Sequence, residues 1–301
     1  LTVCAGTPKR EPMNYRHAYH AGNFADVIKH AVLSLVLEYM KQKPAPFRVI
    51  DTHAGIGLYD LTAIEAHKTG EWRDGIGRLM RADLTPENRA VLAPYLDCVR
   101  ALNPQGEMLR YPGSPIIASD LIRREDRLIL NELHPEDRLT LEDLFARDRQ
   151  VKVMGLDAWT AVKSLLPPPE RRAVVLVDPS FEVPGELDRL IKALQQGLRR
   201  FAAGTFLLWY PIKERRPVDE FRRRITELEL PRVVALEVMI RDGADETRLN
   251  GAGLVIVNAP FTLGGILQGL MPELVKILAQ GAGAHFNYDD LGNDRVRVRQ
   301  K

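Results

Sequence analysis

An α/β fold with a doubly wound, mostly parallel sheet is what the sequence predicts, and three observations carry the prediction. Short apolar runs alternate with amphipathic helical stretches along most of the chain, the pattern of a sheet covered by helices on both faces. The first run, Phe47-Arg48-Val49-Ile50-Asp51, empties into a glycine loop, Thr52-His53-Ala54-Gly55-Ile56-Gly57. The most apolar run, Ala173-Val174-Val175-Leu176-Val177, ends in Asp178-Pro179-Ser180-Phe181.

Each element has its own signal. Asn23 is placed to cap a helix whose apolar positions include Val27, Ile28, Val32, Leu33, Val36 and Leu37, and Lys43-Pro44-Ala45-Pro46 ends it. After the glycine loop, residues 60–112 read as amphipathic helix broken at Thr85-Pro86 and Asn103-Pro104, with no strand. They are expected to form a small helical insertion over an active site. Alternation resumes with a helix over 116–123, a strand over 128–132, a helix over 136–147 and a strand over 151–154. A further helix stops at Pro167-Pro168-Pro169. Then come the strand of 173–178, a helix over 186–201, a strand over 205–210 and a helix over 217–228. Strands near 233–240 and 253–258 close the series. Joined by a loop rather than a helix, those two are expected to make an antiparallel edge.

Composition narrows the function classes. Of 301 residues, 45% are hydrophobic and 27% charged, which excludes a disordered or fibrous chain. The length suits one enzyme-sized domain with an insertion. Two cysteines, Cys4 and Cys98, supply neither a disulfide framework nor a four-cysteine zinc site, so the reducing cytoplasm is the expected compartment. No apolar run reaches bilayer length, and no membrane partner is expected. Residues 1–12, ahead of Met13, are read as a non-native or mis-set extension, leaving a domain over 13–301. A net charge of +2 neither demands nor forbids a nucleic-acid partner.

In an open α/β sheet, ligands bind beyond the carboxyl ends of the strands. Four ends carry acids: Asp51 with its glycine loop, Glu132, Asp157 and Asp178. The glycine loop lacks the third glycine of a dinucleotide fingerprint and the Lys-Ser/Thr of a triphosphate loop. Glu132 stands where such folds accept hydrogen bonds from ribose hydroxyls. Asp178-Pro179-Ser180-Phe181 approximates the Asp-Pro-Pro-Tyr/Phe signature of methyltransferases acting on exocyclic amines. A carboxylate and a backbone carbonyl accepting both amine N–H groups localise the nitrogen lone pair, and an aromatic ring stacks on the base. A competing copy, Asn258-Ala259-Pro260-Phe261, is expected after the last strand, at the sheet edge.

The segment before the first helix is rich in rings: Tyr15, His17, Tyr19 and His20, followed by Lys29 and His30, with His53 in the glycine loop. Scattered surface histidines, or a metal site using His17-x-x-His20, would fit it. The preferred reading is a segment facing RNA and cofactor, in which rings stack and Lys29 brings charge.

Together these residues resemble the large-subunit ribosomal RNA methyltransferase J family. The carriers are Tyr15-Arg16-His17-x-x-His20-Ala21-Gly22-Asn23, Ala25-Asp26-Val27-x-Lys29-His30, Asp51-Thr52-His53-Ala54-Gly55-x-Gly57, Tyr111-Pro112-Gly113-Ser114-Pro115, Glu132-Leu133-His134-Pro135 and Leu208-Trp209-Tyr210-Pro211. The resemblance implies a Rossmann-like S-adenosylmethionine-dependent methyltransferase fold and transfer to adenine N6 in 23S ribosomal RNA; a monomer is expected rather than a stable oligomer. The resemblance assigns Lys29, His30, His53, Gly55, Ser114, Glu132, Asp157, Ala158 and Asp178 to the cofactor pocket. Asp178, Pro179 and Phe181 fall on the catalytic motif, and Tyr15, His17 and Lys29 on the RNA side; no metal is implied. Ser180 departs from the family's second proline, Phe181 lacks a tyrosine hydroxyl, and Ala158 stands where the family often has glycine. The serine keeps open a catalytically weakened nucleic-acid-binding protein of the same fold. A DNA adenine-N6 methyltransferase is the other alternative.

Overall fold

The computed structural model of the chain describes residues 17–292. Tyr15, the segment before Met13 and the basic C-terminal residues lie outside that range. The strands are β1 (Arg48–Asp51), β2 (Leu58–Asp60), β3 (Arg110–Pro112), β4 (Arg127–Asn131), β5 (Val151–Met154), β6 (Ala173–Val177), β7 (Thr205–Ile212), β8 (Val233–Met239), β9 (Gly251–Val257) and β10 (His285–Asp290). The helices are α1 (Phe24–Lys41), α2 (Ile64–Thr69), α3 (Ile76–Arg81), α4 (Pro86–Leu102), α5 (Ser114–Leu121), α6 (Pro135–Leu144), α7 (Ala158–Ser164), α8 (Glu186–Arg200), α9 (Arg215–Thr226) and α10 (Leu263–Leu278). Asn23 caps α1 as predicted, its side-chain oxygen accepting from the Ala25 and Asp26 amides at 3.0 Å.

The large sheet runs β10-β8-β9-β7-β6-β1-β4-β5. From β5 to β7 all neighbours are parallel; β9 is antiparallel to both β7 and β8, and β10 antiparallel to β8. The chain steps outward from β1 through β4 to β5, then returns to place β6 on the other side of β1. That reversal makes a switch point between β1 and β6, where the following loops part and leave a crevice. Alternate side chains of the strands feed two cores. One packs under α1, α5, α10 and the insertion, the other under α7, α8 and α9. Strand β6 is buried at all five positions, which is why its sequence is uniformly apolar.

Three expectations need correction. Residues 60–112 are not free of strand: β2 and β3 pair antiparallel, Tyr59 opposite Tyr111, and close the neck of the helices between them. The predicted antiparallel pair exists, but β8 and β9 are interior strands and the edge is β10. Consequently Asn258 lies neither at an edge nor after the last strand. It follows β9, which runs against β7, so it sits at the opposite end of the sheet from Asp178. There its amide donates to the carbonyls of Ala202 and Gly204 at 2.8 Å, bracing the turn into β7. Phe261 is 80% exposed. The competing motif is a structural turn.

Candidate active site

The parallel register lines up the acids. Asp51 ends β1 level with Leu130 of β4 and Leu176 of β6, so Glu132 and Asp178 each stand two residues beyond it on the flanking strands. Asp51 is fully buried and accepts from the Ser114 hydroxyl at 2.6 Å and the His53 amide at 3.2 Å. Burial pushes its carboxyl up to about 6 against those two hydrogen bonds. Glu132 splits its oxygens between the Gly55 amide (2.8 Å) and the His134 amide (2.7 Å), joining two strand-end loops, and burial raises its pKa as well. Gly55 has φ 61°, and a Cβ there would stand 2.4 Å from the Tyr59 hydroxyl, so glycine is required. Asp157 caps α7 through one oxygen to the Thr160 amide, with Ala158 buried as the first helical residue.

The His53 ring stands within electrostatic reach of Asp178 and Asp157. The Thr52 hydroxyl donates its only proton to the Leu176 carbonyl, so His53 Nδ1 donates to Thr52 Oγ1 at 2.9 Å. Its Nε2 is then the acceptor of a neutral ring, and burial holds the imidazole down at about 4. The ring meets Trp159 edge-on.

Asp178 is partly exposed and reaches back to α1: Lys29 Nζ donates to its Oδ2 at 2.5 Å and to Asp26 Oδ1 at 2.8 Å. Burial alone would lower Lys29, but Asp178 and Asp26 outweigh it and hold the ammonium well above the ordinary lysine range. Asp26 accepts further from His17 Nε2 and from the Gly22 amide, each at 2.9 Å on Oδ2. Burial would raise this acid, yet the charges of His17 and Lys29 keep it well below the usual carboxylate range. Pro179 is buried, and Phe181 adopts φ 56°, with its ring packed edge-on against Trp209 at 5.7 Å. A left-handed aromatic costs about 1–2 kcal/mol, strain of the kind that gathers at functional loops.

Lys29, His53, Gly55, Ser114, Glu132, Asp157, Ala158 and Asp178 thus fall on or beside one strand-end edge, with His17 tied to it through Asp26. His30 does not join them. It is buried between α1 and the insertion, Nδ1 2.7 Å from the Tyr111 hydroxyl, which in turn lies 2.9 Å from that of Tyr95. Burial lowers the His30 imidazole to about 3. His20 pairs with Glu71, whose hydrogen bond raises the imidazole, so the N-terminal histidines go to separate partners. Two contributors escaped the sequence reading. Asp26 was legible in principle: three residues ahead of Lys29, it must share that face of α1. Asn131 was not; its amide donates to the Thr52 and Leu156 carbonyls and its oxygen accepts from Leu156, knitting three loops.

A Rossmann-like sheet with acids at successive strand ends and an Asp-Pro-x-Phe motif beside the switch point defines a methyltransferase of this fold. A sequence model of the family described as "Ribosomal RNA large subunit methyltransferase D, RlmJ" matches residues 44–288. The chain is 39% identical to ribosomal RNA large subunit methyltransferase J of Haemophilus influenzae, over 90% of this chain and 96% of that one. It is 36% identical to the Escherichia coli protein of the same description, at the same coverages. The crystal structure of protein LPL1258 from Legionella pneumophila superposes with a TM-score of 0.83 at 30% identity, covering 90% of this chain and 98% of that one. The chain belongs to the RlmJ family of ribosomal RNA large subunit methyltransferases.

Proposed function

We propose that this chain transfers a methyl group from S-adenosylmethionine to the exocyclic N6 amine of an adenine in 23S ribosomal RNA, acting as a cytoplasmic monomer. The observation that carries the reading is the Lys29–Asp178 pair at the end of β6. With Oδ2 held by the ammonium, the Asp178 carboxylate has a fixed rotamer and Oδ1 left for an incoming donor. The Pro179 carbonyl is the second acceptor. An amine conjugated to a purine is a poor nucleophile; two acceptors on its two N–H bonds draw the nitrogen toward tetrahedral geometry, an effect larger in the transition state than before it. Phe181 offers a ring face for the flipped base.

The donor set suits the cofactor. Adenosylmethionine carries an ammonium, a ribose diol and an adenine amine, all donors, and Asp51, Glu132 and Asp157 are acceptors on three adjacent strands about 4.8 Å apart. Glu132 spends one lone pair of each oxygen on loop amides and keeps another for a ribose hydroxyl. When bound, the cofactor supplies an electrophilic methyl group. The protein's part is to hold the amine in line with it and to keep the crevice dry.

The test is transfer of labelled methyl to protein-free 23S rRNA, with the product digested to nucleosides. Label in N6-methyladenosine is expected. Label in another base, or none, overturns the reading, and equal labelling of duplex DNA would favour the DNA alternative.

A further inference from the structure

We propose that Asp26 is a positioning residue of the methyl-transfer centre: it fixes the Lys29 ammonium on Asp178 and anchors the His17 segment to the same point. The inference rests on the reading that Asp178 receives the target amine, and it concerns how that acceptor is held.

Asp26 is 2% exposed, and its two oxygens take three donors from three places in the chain. Oδ1 takes Lys29 Nζ; Oδ2 takes His17 Nε2 and the Gly22 amide. Its own backbone amide is tied to the Asn23 cap, so the carboxylate projects from the most constrained turn of α1. Lys29 needs only one acid for charge balance, and Asp178 already supplies it. A second, more deeply buried acid adds direction. Held by Asp178 alone, a four-carbon stem could present its ammonium to either carboxylate oxygen; gripped from both sides, it meets Oδ2 and leaves Oδ1 clear. Burying charge in this way does not favour folding in itself, since apolar residues of similar volume often serve stability better. The same carboxylate carries His17, so the segment ahead of α1 and the acceptor share one hinge point.

Asp26→Asn keeps the shape and an acceptor oxygen while removing the charge. Turnover at saturating S-adenosylmethionine and RNA is expected to fall about ten- to a hundredfold, the scale of a small misplacement of a reacting group. Cofactor affinity should stay within about twofold, because the ribose and adenine contacts lie on other strands. On a Lys29→Met background the same change should cost less than in the native chain, since the part of its effect that passes through Lys29 is already lost. A role confined to folding would instead lower the melting temperature and cost as much on either background. Full turnover by Asp26→Asn, or additivity with Lys29→Met, overturns the proposal. A readout independent of RNA is the 15N resonance of the Lys29 ammonium. It should be slowly exchanging in the native chain and lost to fast exchange in Asp26→Asn; an unchanged resonance also overturns it. Failure of the native enzyme to methylate adenine would count against the functional reading alone, and the resonance would still decide the role of Asp26.

Discussion

In the proposed mechanism Asp178 serves the target amine and Glu132 the cofactor, and substitutions should separate the two roles. Asp178→Ala removes an acceptor that strengthens as charge develops on the amine, so turnover should drop by about a hundred- to a thousandfold. The fold should survive, because Lys29 keeps its bond to Asp26 and no charge is stranded. Near-normal turnover by a folded Asp178→Ala enzyme would remove the motif from the chemistry. Glu132→Ala should act on the cofactor: calorimetry with S-adenosylhomocysteine should show weaker binding, with turnover at saturation less affected. An unaltered dissociation constant would take Glu132 out of the pocket. At this scale the acids at the strand ends, Asp51, Glu132, Asp157 and Asp178, were legible in the sequence, since strand ends can be counted. The sequence was a poor guide to Asn131 and to His30. The first is the last residue of a strand, but its partners lie 79 and 25 residues away in loops. The second follows Lys29 in a motif, but a helix turns successive side chains about 100° apart, which sends His30 toward Tyr111.

Among elements, those missed from sequence have weak patterns for identifiable reasons. Helix α10 contains Gly264, Gly265, Gly269 and Pro272, which depress its propensity, and it forms because its apolar face is buried on the sheet. Strand β10 is short, half-exposed and polar (His285-Phe286-Asn287-Tyr288-Asp289-Asp290), as edge strands often are. The β2–β3 ribbon has three residues a side and is held by pairing across some fifty residues, which no local pattern can announce. The element that bears most on the site is the turn ahead of α1. The Gly22 carbonyl accepts from the Ile76 amide at 2.8 Å, and Glu71 takes the Asn23 amide and His20, so the insertion grips the start of α1. Gly75 allows this approach: a Cβ there would stand 2.1 Å from the Gly22 carbonyl oxygen. Gly75→Ala should therefore cost about 1–3 kcal/mol in urea unfolding. It should also slow RNA methylation more than it weakens cofactor binding, because the Asn23–Asp26 turn must shift. A variant as stable as the native chain would mean that this contact is slack.

For the whole molecule the decisive charges are buried ones, and they set how stability varies with pH. His30 titrates near 6.5 when unfolded and near 3 when folded. Between those values only the unfolded chain takes the proton, so acidification favours unfolding; above 6.5 both states are neutral and the contribution is complete. Lowering the pH from 7 to 5 should thus remove about 2 kcal/mol through this residue. His53, depressed to about 4 but with its ring partly exposed, adds a smaller loss of the same sign. Asp51 acts oppositely. Between 3.8 and about 6 the folded chain keeps a proton that the unfolded chain releases, so the same acidification returns about 1 kcal/mol. Of these three groups the histidines outweigh the acid, so their joint contribution to stability should fall from pH 7 to pH 5, while His20 and Glu132, whose pKa values are raised, act with Asp51 in the opposite direction. His30→Phe tests the largest share: it preserves the stack on Tyr111, whose hydroxyl keeps Tyr95, while deleting the titration. The variant should start somewhat less stable at pH 7 and lose about 2 kcal/mol less on the way to pH 5. Parallel pH profiles for the two proteins would show that the acid sensitivity lies elsewhere.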